Sequence, residues 1–147
     1  DTDRLGHFRD ISTFGGCTSG PVAALENMKI IEEEDLCGNS VRMGDYLQDR
    51  LHALMDKRPV IGDVRGKGLF AGIELVKDRT TREPVDEKSI PQVTGACMAD
   101  GVIIGASNRS VPGFNNVLLF APALIATKDD LDEIVGAVDR ALGKVFG

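Results

Sequence analysis

Thr13-Phe14-Gly15-Gly16 places a hydroxyl beside closely spaced backbone N–H groups, near the start of a chain of 147 residues. Glycines let such amides approach an anion with no Cβ in the way, and a helix opening at Thr18 to Pro21 would add its positive dipole end. That is the chemistry of a neutral phosphate cradle. The same residues also read as an ordinary glycine turn in which Thr18 or Ser19 caps the helix. Arg109, in "ASNRSVPGFNN", is an isolated guanidinium that could hold a carboxylate or sulfonate bidentately, or simply stand solvated in its loop. "RGKG" at Arg65 to Gly68 has the residue types of half a nucleotide loop, but it precedes a strand and opens no helix. Its glycines are therefore read as permitting a bulge or a tight approach to the strand. Cys17 stands near a helix start without an evident base and reads as a small hydrophobe, and His7 and His52 have no partner at metal-ligand spacing.

The elements that position these residues follow from hydrophobic periodicity. Val22, Leu25, Met28 and Ile31 recur at helical spacing from Pro21 to about Glu33, with Gly38 as the expected stop. A second helix is predicted from about Ser40 to Met55, burying Tyr46 or Leu47, Leu51, Leu54 and Met55, and Pro59 ends it. Within "VIGDVRGKGLFAGIELV" the set Leu69, Ala71, Ile73 and Leu75 alternates with Phe70, Gly72, Glu74 and Val76, which predicts a strand. Residues Lys77 to Glu87 read as a charged turn, and Ser89 with Gln92 as a capping box opening a helix that ends near Asp100. "VIIGA" and "NVLLFAPAL" read as strands flanking a polar loop, Ser107 to Asn116. Thr127 and Asp130 read as the N-cap of a closing helix whose inner face is Leu131, Ile134, Val135, Val138, Leu142 and Val145. This order predicts an α+β layer: a small, mostly antiparallel sheet packed with helices.

Charge and composition narrow the function. There are 23 acidic against 17 basic residues, a net charge of −6, and no basic cluster, which argues against nucleic acid or an anionic membrane as partner. Cys17, Cys37 and Cys97 form an odd set without metal-type spacing, which suits a reducing, cytoplasmic setting; no metal site is expected. No apolar run is long enough for a membrane span. The sequence begins at Asp1 without an initiator methionine and reads as a piece of a longer chain.

The order of the blocks is more specific than any one of them. "TFGG" before an alanine-bearing helix, then "VIGDVRGKGLFAGIELV", "GVIIG" and "LLFAPALIATKDDLDEIV", resembles the C-terminal portion of class III pyridoxal-phosphate aminotransferases of fold type I. "TFGGCTSGPVAALENMKIIEEEDL" is most similar to the ω-amino-acid:pyruvate and taurine:pyruvate branch. The resemblance implies that residues 1–36 are the tail of the large cofactor-binding domain with its linking helix, and residues 37–147 the C-terminal small domain. It implies that Thr13, Phe14, Gly15 and Gly16 bind the cofactor phosphate, with the Thr13 hydroxyl serving the neighbouring subunit of a homodimer. The Pro of the family's usual His-Pro or Asn-Pro is missing at Cys17-Thr18 and stands instead at Pro21.

A substrate-carboxylate arginine often follows the strand matching Val102 to Ile104 in the family. The corresponding position here is Gly105, so Arg109 is the candidate to hold the acid. The Schiff-base lysine and the acid beside the pyridine nitrogen lie upstream of "TFGG" in the family, and none of Lys29, Lys57, Lys67, Lys77, Lys88, Lys128 or Lys144 matches the catalytic motif. The expectation is an enzyme that moves an amino group from a β-alanine- or taurine-type donor to pyruvate or another oxo acid, of which this chain alone is inactive. Two other readings fit the residues: a stand-alone, non-enzymatic α+β module that binds an anion or a partner, and another class III activity such as a semialdehyde aminomutase or a diamine transaminase.

Overall fold

The computed structural model describes residues 13–109 and 111–147, and the chain divides into two compact units, Asp1–Asp35 and Leu36–Gly147. In the first unit, helix α1 spans Ser19–Glu33 and buries no residue; Val22, Leu25 and Met28 line an exposed apolar stripe. It ends at Glu34 and Asp35, not at the expected Gly38. Asp35 adopts a left-handed φ of 48°, which aspartate tolerates better than most residues, and Gly38 falls inside the first turn of the next helix.

The second unit holds α2 (Leu36–Lys57), β1 (Ile61–Lys67), β2 (Phe70–Asp78), β3 (Glu83–Pro84), α3 (Ser89–Ala99), β4 (Gly105–Ala106), β5 (Val117–Phe120) and α4 (Lys128–Phe146). The sheet is antiparallel throughout, in the order β1-β2-β5-β4, with β3 pairing the far end of β2. Ala71, Ile73 and Leu75 of β2 and Leu118 and Phe120 of β5 join one core with Leu47, Leu51 and Leu54 of α2, Val93 and Cys97 of α3, and Leu131, Val138 and Leu142 of α4. The predicted inner faces of α2, β2 and α4 are thus the buried ones. Burial pushes the Cys97 thiol pKa up, as expected of a packed, unreactive sulfur.

Three local expectations are corrected. "VIGDVRGKGLF" forms a strand of its own and a hairpin turn onto β2, where Lys67 faces Phe70. A bulge between Ile61 and Asp63 shifts the register, so that Ile61 and Val64, three residues apart, both point inward, and period-two reading misses the strand. The Ser89–Gln92 capping box does not form. Lys88 occupies the cap position without a side-chain bond, while the Asp86 carbonyl accepts from the Ser89 backbone at 2.9 Å and from its hydroxyl at 2.6 Å. The Lys77–Glu87 turn is entered by β2 as far as Asp78 and contains β3, whereas the strands expected at "VIIGA" and "NVLLFAPAL" contract to Gly105–Ala106 and Val117–Phe120.

The box at α4 forms as expected: Thr127 Oγ1 accepts from Asp130 N at 3.3 Å, and Asp130 Oδ2 accepts from Thr127 N at 2.8 Å. Thr127→Ala should lower the unfolding free energy by about 1 kcal/mol, measured by urea titration at neutral pH. No change would mean that packing alone starts this helix.

Candidate functional site

The sequence-predicted site residues fall in different units: Thr13 to Gly16 in the first, Arg109 in the second. In the first, residues 13–16 form an exposed turn closed by a hydrogen bond from Cys17 N to Phe14 O at 2.9 Å. Neither Thr18 nor Ser19 caps α1 through its side chain. Ser19 Oγ lies 2.9 Å from Cys17 Sγ instead. That contact, followed by the backbone N–H groups of Ser19 and Gly20, draws the Cys17 thiol pKa below its ordinary value. Cys17 is a free, exposed cysteine.

No charged residue occurs between Ile11 and Leu25. The Thr13 turn is therefore an uncharged, hydroxyl-bearing surface beside a helix start within an acidic chain. It fits one edge of a phosphate by neutral donors, and carries neither the amine nor the acid that amino-group chemistry requires. All seven lysines are exposed on helices, turns or strand ends, as their positions in the sequence suggest.

In the second unit Arg109 is exposed on the loop between β4 and β5. Both ends of that loop are fastened. Ser107 N donates to Val117 O at 2.9 Å and Ser107 Oγ accepts from Val117 N at 3.2 Å. Asn116, 2 % exposed, donates through Nδ2 to Leu75 O at 2.7 Å, and its own carbonyl accepts from Leu75 N at 2.8 Å. A short polar side chain thus continues the β2 pairing one residue beyond β5. Gly105 is paired with Leu119, and a Cβ there would lie 3.2 Å from both the Leu119 Cβ and its carbonyl oxygen. A bulky residue at 105 would crowd β5, which gives a packing reason for glycine at that position.

Sequence reading missed Glu87. Its Oε1 accepts from Gly113 N at 2.5 Å, Asn115 N at 3.0 Å and Asn115 Nδ2 at 2.9 Å. The bond from the Asn115 backbone, supported by its side chain and by Gly113 N, holds the Glu87 carboxyl below the usual carboxylate range against the opposing effect of burial. Because the folded pKa is depressed, the stabilisation is present at neutral pH and is lost as pH falls through the folded value. The only sequence signal was an acid within a charged, proline-bearing turn, which spacing does not tie to a loop 26 residues away.

The helix-backed antiparallel sheet of the second unit is an architecture that aminotransferase structures share. The chain belongs to the class III aminotransferase family, whose pattern it matches over residues 5–142. It is 63% identical over 144 residues to the hypotaurine/taurine–pyruvate aminotransferase of Paracoccus denitrificans (strain Pd 1222), covering 98% of this chain and 31% of that protein. An aminotransferase structure from Bacillus anthracis superposes with a TM-score of 0.90 at 39% identity, covering 97% of this chain and 32% of that one. The PLP-bound structure of an amine transaminase from an uncultivated Pseudomonas species superposes with a TM-score of 0.82 at 29% identity, covering 98% and 31%. The chain thus spans about a third of the length of the relatives it matches, and membership of the family implies pyridoxal phosphate as cofactor.

Proposed function

We propose that this chain is the C-terminal part of an aminotransferase that moves an amino group from a taurine-type aminosulfonate, or a β-alanine-type ω-amino acid, to pyruvate or another oxo acid. The observation that carries this is the 63% identity to a protein named for hypotaurine, taurine and pyruvate. Residues 1–36 then belong to the large cofactor-binding domain and its linking helix, and residues 37–147 form the small domain, in a cytoplasmic homodimer. Pyridoxal phosphate, when bound, supplies the electron sink for amino-group transfer. The Thr13 hydroxyl and the backbone of Phe14 to Gly16 would hold an edge of its phosphate in the neighbouring subunit, and Arg109 would hold the acid group of the substrate. The apolar stripe of α1 is consistent with a helix that meets further protein in the assembled enzyme.

The test is alanine formation from pyruvate by the protein encoded by the full reading frame, with taurine as donor. Alanine from β-alanine but not from taurine would remove the aminosulfonate. No alanine from any amine would remove the aminotransferase reading. In the same assay Arg109→Ala should raise KM for pyruvate roughly tenfold or more, the loss of a charge-assisted hydrogen-bonded pair, without altering cofactor content.

A further inference from the structure

We infer that Glu87 is a positioning residue for the acid end of the substrate: its carboxylate latches Gly113 and Asn115, in the C-terminal half of the loop between β4 and β5, and so fixes where that loop presents its groups. This rests on the reading above, in which the loop carries the acid-holding Arg109.

The loop has two kinds of support. Its ends are pinned to the sheet through Ser107, Val117 and Asn116, as described. Between those pins it has local contacts such as Phe114 N to Val111 O at 2.9 Å, and Gly113 in a left-handed conformation with φ 88°, which favours glycine and gives the backbone little intrinsic stiffness. Glu87 reaches it from outside, from the turn leading into α3. One carboxylate oxygen gathers three N–H donors from two loop residues, a load that suits an ionised acceptor because charge-assisted bonds are the stronger ones. Glu87, Thr94, Ser107, Asn108 and Asn115 line a cavity of about 430 Å³, and Arg109 follows Asn108 in the chain. An arginine that grips a planar acid group bidentately needs a fixed root for its long side chain, since misplacement by an ångström undoes the paired geometry. The sheet fixes the loop's ends. Glu87 fixes the limb that leads back to β5, at Gly113 and Asn115.

The test uses the full-length enzyme with Glu87→Ala, Glu87→Gln, Arg109→Ala and the double variant E87A/R109A. Glu87→Ala should raise KM for pyruvate roughly tenfold with kcat within about twofold, because ground-state and transition-state holding of the acid are lost together. Glu87→Gln keeps a carbonyl acceptor and should recover most of the KM; it also serves as the reporter if the alanine variant folds poorly. In the double variant KM should not exceed that of Arg109→Ala, since both changes remove the same grip. Amide exchange at Gly113 and Asn115 should accelerate in Glu87→Ala, which a mere change of surface charge would not cause.

An unchanged KM in Glu87→Ala, with or without faster exchange, overturns the positioning role of Glu87 even if Arg109→Ala raises KM. A raised KM in Glu87→Ala beside an unchanged KM in Arg109→Ala keeps the latch and overturns the Arg109 assignment. Unchanged KM in both overturns both.

Discussion

Gly44→Ala is expected to destabilise the Leu36–Gly147 unit by about 3 kcal/mol or more, the upper part of the range for forcing extra atoms into a packed contact. A Cβ at Gly44, on the buried face of α2, would overlap the Gly68 backbone and come within 2.6 Å of its carbonyl oxygen. Gly68 forms the β1–β2 turn with a left-handed φ of 54°, and a Cβ there would in turn meet Ser40 Oγ at 2.6 Å. Ser40 Oγ also accepts from Leu69 N at 3.3 Å, so helix and turn are joined at the place where they touch. Two effects compete. Alanine improves the helix by about 1 kcal/mol over glycine, whereas the obstacle is backbone on both sides and has no rotamer into which to retreat. The clash wins. Gly95→Ala is the control, because it lies within α3 with nothing inside 4 Å of the new methyl, and it should gain up to about 1 kcal/mol. Thermal unfolding of the two variants should move in opposite directions, Gly44→Ala falling by roughly 10 °C or more. Equal midpoints would show that α2 can shift away from the hairpin at little cost.

The same contact explains which parts of the molecule were legible in the sequence. Periodicity reports burial, so the inner faces of α2, β2 and α4 could be read directly: Leu47, Leu51 and Leu54, then Ala71, Ile73 and Leu75, then Leu131, Val138 and Leu142. "RGKG" could not be placed by periodicity, because Gly66 answers to the backbone of Phe70 and Ala71 across the hairpin and Gly68 to Ser40 and Gly44 of a helix more than twenty residues earlier in the chain. Strand β1 was hidden by its bulge, which breaks the alternation that defines a strand. The cap of α3 was misassigned because Ser89 and Gln92 have the right types at the right spacing, yet Asp86 offers a closer carbonyl. For the proposed site, residue type points to Thr13 and Arg109, each a chemically distinctive group in a loop of its own unit. Glu87 could not be found in this way: its importance lies in three long-range hydrogen bonds, and an acid amid other acids carries no mark of them.

Thr13→Ala in the full-length homodimer proposed above is expected to raise the dissociation constant of pyridoxal phosphate about 10- to 100-fold, since a hydrogen bond to an anion contributes roughly 1.5–3 kcal/mol. The magnitude rests on the uncharged character of the turn. No lysine or arginine stands between Ile11 and Leu25 to take over the phosphate when the hydroxyl is removed. Thr13→Ser keeps the hydroxyl and should bind within a few-fold of the unaltered enzyme, which separates loss of the donor from disturbance of an exposed turn. Titration of the apoenzyme by absorbance measures both variants, and equal affinity for Thr13→Ala would remove the turn from the cofactor site. Whether the hydroxyl acts within its own subunit or across the dimer is decided by a mixed dimer of one Thr13→Ala subunit and one subunit lacking the upstream Schiff-base lysine. The only lysine-bearing site then belongs to the Thr13→Ala subunit. If the turn serves the neighbour, that site receives an intact Thr13 and keeps its cofactor affinity; if it serves its own subunit, the affinity falls as it does when both subunits carry Thr13→Ala.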